Sequence, residues 1–255
     1  MTVLTDFPIR LFVVTFFALW LSGWIGAAAF QRFRSQAEEV HDDFRVVQGA
    51  TLTLLGLIIG FTFSMALTRY DQRKDFEEQE ANAIGTEFVR ADLLPGADAA
   101  KVRTLLLKYV EQRELFYSIR DEPHLAEVNA TTSKLQAELW RAIVPPVTAQ
   151  PTPLGALVVA GMNDVLNTQG YTQAAWWNRI PHAAWFLMMS MALVSTMLVG
   201  VGARRGNAGL ALLVVLPLVI SLAFFLIADI DSPRGGVIRV SPQNLQSLSK
   251  ALHAQ

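Results

Sequence analysis

Residues 46–68 read VVQGATLTLLGLIIGFTFSMALT, and no charge interrupts the run. A helix crossing a hydrocarbon core about 30 Å thick needs about 20 mainly apolar residues at a rise of about 1.5 Å each. Lipid offers no hydrogen-bond partners, so such a stretch must satisfy its backbone internally as a helix. No proline lies between Pro8 and Pro95. The pattern therefore predicts one helix that crosses the membrane from about Val46 and continues to about Leu94, on the order of 70 Å in all.

Three further windows qualify as spans: about Pro8 to Phe30, Ala183 to Ala203 and Ala208 to Ala228. Ala27-Ala28-Ala29 has the form of a signal-peptide cleavage site, but the apolar stretch is long and Asp6 offsets Arg10 at its start. The expected fold class is an all-α membrane protein. Its first helix pair covers residues 8–69 and its second covers 183–230, with an extramembrane helical domain at 70–182 and a tail at 231–255. Arg204-Arg205-Gly206-Asn207 is short enough to force an antiparallel hairpin. Trp176, Trp177 and Trp185 bracket the start of the third span, where an interface is expected. Positive residues near span ends number seven on the side of the middle domain and five on the other. That places the middle domain and both termini in the cytoplasm, in a multi-pass membrane protein.

The middle segment reads as soluble and helical. Asp98 is the expected cap of a helix at about Ala99 to Arg120, with Leu105, Leu106, Val110, Leu115 and Ile119 inward. His124 to Val144 forms the next, with Leu135, Leu139, Trp140 and Ile143 inward. Four prolines from Pro145 to Pro153 mark a loop before a last helix at about Leu154 to Asn178. The acidic run Glu77-Glu78-Gln79-Glu80 and Glu87 reads as a solvated face, or as a cation-concentrating vestibule if several copies surround an axis.

Composition excludes several functions. The net charge of −1 gives no footprint for nucleic acid. The chain has no cysteine and four scattered histidines, so no metal-ligand spacing arises. No nucleophile elbow or phosphate-binding glycine loop is present, and neither an enzyme nor a cofactor is expected.

The second span carries the candidate site. Gly49, Thr53, Gly56, Gly60 and Ser64 share one face, and Gly56, Gly60 and Ser64 form a small-residue ridge for helix packing. Gln48, Thr51, Leu55, Ile58, Thr62, Met65 and Arg69 lie opposite, a polar front suited either to a pore or to hydrogen bonds with neighbouring helices. Leu57, Phe61 and Thr68 make a third face, and rings of such apolar residues can close a pore by dewetting. Arg69, Asp71, Arg73, Asp229 and Asp231 fall at one membrane boundary. A salt bridge from Asp229 to Arg69 or Arg73 is expected there, with an acidic ring as the alternative. Pro217 is expected to kink the fourth span.

Several segments carry a resemblance. They are residues 55–64 with Arg69-Tyr70-Asp71, residues 80–86, residues 90–95, Asn178-Arg179-Ile180-Pro181, residues 231–236 and residues 238–241. Together they resemble the bacterial bestrophin-like membrane proteins across nearly the whole chain. That resemblance implies a relation to the pentameric bestrophin ion channels. It implies a homo-oligomer in the lipid bilayer that passes inorganic ions, with Leu57, Phe61 and Met65 at an apolar neck. Arg234-Gly235-Gly236-Val237 stands where eukaryotic bestrophins have an acidic calcium clasp, so calcium gating is not expected. The alternative is a non-conducting scaffold or sensor that binds a partner through its helical domain.

Overall fold

A computed structural model describes residues 6–33, 41–203 and 207–254. Among the described residues the chain is helical, without strands. The helices are α1 (Pro8–Phe33), α2 (His41–Arg90), α3 (Gly96–Ser118), α4 (Glu122–Ala149), α5 (Pro153–Trp177), α6 (His182–Gly202), α7 (Asn207–Asp231) and α8 (Gln243–His253). A 3-10 turn at Ala91–Leu93 follows α2. Helix α2 runs for 50 residues without a break, about 75 Å by its rise. Among the described residues four stretches are long and apolar enough to cross a membrane: Pro8–Ala29, Phe44–Leu93, Pro153–Gly202 and Ala211–Asp231. Within the second, the apolar part is residues 46–68, and charged residues recur from Arg69 onward. The expected hairpin loop at 204–206 and the arginine at position 34 lie outside the described residues.

The chain forms two compact units. One comprises Met1–Arg69 with Arg179–Arg239, the other Tyr70–Asn178 with Val240–Gln255.

In the first unit, α1 packs on α6 and α7. Glycine makes the α1–α6 contact possible. A Cβ on Gly200 would lie 2.0 Å from the Gly23 carbonyl oxygen, and one on Gly26 would lie 2.1 Å from the Met197 carbonyl oxygen. Backbones this close need small residues, as is common where lipid supplies no hydrophobic drive between helices. Ser22 Oγ adds a 2.8 Å bond to the Leu193 carbonyl. The outward faces of α1 and α7 are bulky and apolar, with Val13, Phe17, Trp20, Val214, Val215 and Leu218 exposed. A continuous exposed surface of that kind suits lipid contact.

In the second unit, α3 packs on α4 and α8, and α4 packs on α5. Leu105, Leu106, Val110, Leu135, Leu139 and Ile143 are buried in its core as expected. Leu115 and Trp140 are exposed instead. Arg113, Phe116 and Tyr117 take the inward positions of α3, and Phe116 and Tyr117 meet Trp176 edge to face. The expected loop at Pro145 is helix: α4 continues through Pro145 and Pro146 to Ala149. Burial of Ile143 and Pro146 holds this last turn, where the absent proline N–H groups remove only a few backbone bonds. Asp98 lies inside the first turn of α3 rather than capping it, where its charge still favours the helix dipole. Asp121 and Thr152 are the side chains that cap α4 and α5.

The acidic run is not a solvated face. Glu77, Glu80 and Glu87 are buried, and only Glu78 of the four glutamates is exposed. Glu77 accepts from Leu245 N at 2.9 Å and Asn244 Nδ2 at 2.7 Å, which satisfies the first turn of α8. Glu80 pairs with the Arg113 guanidinium and accepts from Tyr117 Oη at 3.4 Å and Thr172 Oγ1 at 3.3 Å. Glu80 holds the Arg113 guanidinium charged despite burial, and burial pushes the Tyr109 and Tyr117 hydroxyls up.

Gly200→Leu is expected to force α1 and α6 apart and lower stability in detergent by about 3 kcal/mol, read from a thermal or denaturant midpoint. Arg113→Ala leaves a buried carboxylate unpaired and costs about 3–5 kcal/mol, while the double change Arg113→Met with Glu80→Leu recovers most of the loss.

Candidate pore face and boundary charges

The membrane-spanning half of α2 has two unlike sides. Leu55, Thr62 and Ala66 are buried within the first unit. Leu57, Phe61 and Met65 are exposed at 52%, 65% and 39%. Gly49, Gly56 and Gly60 face open space among the described residues, with nothing of these within 4 Å of a Cβ built on any of them. Thr53, Ser64 and Thr68 are exposed beside them.

This reverses the expected front and back of the helix. Thr62 is buried, and Thr51 and Ile58 are half-buried, so most of the expected polar front turns toward the protein, while Met65 of that front is exposed. The threonine hydroxyls also return to their own helix: Thr51 donates to Val47 O at 2.7 Å and Thr62 to Ile58 O at 2.8 Å. Such back-bonding occupies the hydroxyl proton without any neighbouring helix. The small ridge Gly56, Gly60 and Ser64 is outward and lies next to Leu57, Phe61 and Met65. The face that Arg69 shares with Thr62 turns inward because Asp231 lies there to pair with it.

Four of the charges at this boundary, Asp6, Arg69, Arg179 and Asp231, form a network within the first unit. Asp231 accepts from the Ile180 backbone N–H at 3.2 Å and from Arg179 Nε at 3.1 Å, and it lies 3.6 Å from Arg69 Nη1. Arg179 also pairs with Asp6 at 2.9 Å. The expected pairing of Asp229 with Arg69 or Arg73 is not what holds it. Asp229 accepts from the Val237 and Ile238 N–H groups at 2.7 and 2.8 Å. It thereby ties down the turn after α7. Gly235 and Gly236 are required in that turn, since a Cβ would lie 2.0 Å from Asp6 O or 2.2 Å from Asp229 O. Both aspartates are buried, so they present no acidic ring at the surface. Asp71 is exposed. In the second unit, Arg73 is buried and donates to the carbonyls of Ala175 and Asn178 at 3.2 and 3.3 Å.

Comparison with known proteins places this architecture. The chain is similar in fold to a bacterial bestrophin homolog from Klebsiella pneumoniae. A crystal structure of a single-substitution form matches with a TM-score of 0.68 at 12% identity, covering 95% of this chain and 97% of that chain. A second crystal structure of that homolog, phased with zinc, matches with a TM-score of 0.66 at 13% identity, covering 95% and 97%. No curated protein matches the chain. The sequence profile of the Bestrophin-like domain matches residues 15–245. The chain therefore belongs to the bestrophin-like family.

Proposed function

We propose that the protein is a homo-oligomeric ion channel, a pentamer, in which α2 of each subunit lines the axis. The observation that supports this reading most is the contrast between exposed faces in the first unit. The outward surfaces of α1 and α7 are bulky and apolar, as lipid contact requires. The outward surface of α2 mixes Gly56, Gly60, Ser64 and Thr68 with Leu57, Phe61 and Met65. Glycines with open space beside them invite close approach by another helix. In the proposed ring, Gly56, Gly60 and Ser64 receive the neighbouring subunit's α2. Leu57, Phe61 and Met65 then point toward the axis, where successive apolar rings form a dewetting constriction.

The boundary aspartates serve this arrangement as anchors rather than as ion ligands. Asp231 gathers Arg69 at the membrane end of α2 with Arg179 and the Ile180 amide ahead of α6. The burial of Glu77, Glu80 and Glu87 removes the main argument for a cation-concentrating vestibule. We place the protein in the inner membrane with the helical domain in the cytoplasm.

In liposomes the purified oligomer is expected to pass ions, and Phe61→Ala to raise the flux several-fold by widening the constriction. An oligomer without flux across a range of voltage and pH supports the non-conducting scaffold instead. Asp231→Ala leaves Arg69 and Arg179 without their shared carboxylate. It is expected to lower stability by about 3 kcal/mol, seen as a lower melting midpoint, while leaving the ion preference of the remaining folded oligomer unchanged.

A further inference from the structure

Glu87 is the buried acid of the second unit that the fold does not use. Its side chain is fully buried, and among the described residues neither carboxyl oxygen has a hydrogen-bond partner. It lies where α2 meets α5. A Cβ on Gly161 of α5 would sit 2.0 Å from Glu87 Oε2 and 2.5 Å from Arg90 Nη1. A glycine at 161 is what lets the carboxyl lie against that helix. Arg90 and Gly161 also line a cavity of about 500 Å³, together with Asn82, Thr86, Asp164 and Thr168 among others.

Among the described residues, few charged groups bear on Glu87. Arg90 on α2 favours its ionised form, and Asp164 on α5 opposes it. From α3, Arg103 approaches the same stretch of α2, where its guanidinium is engaged by the Asp92 carboxylate and the Phe88 carbonyl. From α8, Leu248 meets Gly85 through an apolar contact. Glu80, by contrast, has Arg113, Tyr117 and Thr172 around it.

We propose that Glu87 is a proton-controlled latch between α2 and α5: its neutral acid permits the closed packing of the two helices, and its ionisation draws the side chain toward Arg90 and the water of the adjacent cavity. Burial raises its pKa to about 8. A carboxylate without donors is far costlier to bury than a neutral acid. The sign is therefore set. The closed form holds its proton up to about pH 8, whereas an opened, solvated glutamate loses it near the ordinary value of about 4.3. Closure weakens as pH rises between these values, and the effect levels off above the higher one.

Hydrogen exchange of the full chain in lipid nanodiscs tests this independently of any ion flux. Peptides from α2 around residues 82–94 and from α5 around 155–168 are followed from about pH 6 to pH 9, after correction for the intrinsic pH dependence of exchange. The expected result is that local opening rises by up to about tenfold per pH unit and then levels off. Peptides from the core of α3 stay unchanged, and Glu87→Gln abolishes the rise. A flat wild-type profile overturns the latch, as does the same rise in Glu87→Gln. Should that variant fail to fold, infrared difference spectra of the wild type decide. A protonated carboxyl band present at pH 6 and lost by pH 9 supports the proposal, and its absence at pH 6 overturns it.

Discussion

The helical unit depends on what is done with charge buried along one side of α2. Arg73, Glu77, Glu80 and Glu87 are all buried there. Each ion removed from water needs donors or a counter-charge in return. Arg73 binds two carbonyls, Glu77 closes the first turn of α8, and Glu80 meets Arg113. These contacts specify which helices pack on α2 and in what register, because a slipped helix strands a charge. Apolar packing of Leu106, Tyr109, Leu139 and Met162 then supplies most of the burial around them.

The membrane-spanning unit solves the opposite problem. Lipid is as apolar as the side chains, so burial does not drive helices together there, and close packing must do so. Gly23, Gly26 and Gly200 bring α1 and α6 into backbone contact. Gly49, Gly56 and Gly60 have no such neighbour within the described residues. The same residue type thus marks a satisfied contact on α1 and α6 and an open one on α2. That difference separates the proposed subunit contact from the lipid-facing surfaces.

The spans, the unbroken α2 and the helices of the second unit are legible in the sequence. Hydrocarbon thickness and the absence of proline dictate them locally. The family resemblance is legible too, through residues 55–64 and 231–236. Element ends are less so. Pro145 and Pro146 read as a break, yet the burial of Ile143 and Pro146 carries the helix past them. Trp140 and Leu115 read as core, yet α3 and α4 turn other side chains inward.

Which side of α2 faces inward was decided only by the tertiary structure. A helical wheel separates Thr62 and Arg69 from Gly60 and Phe61, but the wheel is symmetric as to which side is inside. The partner settles it: Asp231, 162 positions from Arg69 along the chain, arrives at the end of α7 and fixes that arginine in place. The same holds for the acidic run at residues 77–87. Its charges look solvated until Arg113 and the amide of Leu245 are brought against them. Hydrophobic length is a local property and can be read from one segment. The inside of a helix is defined by its distant partners, and only the folded chain brings those together.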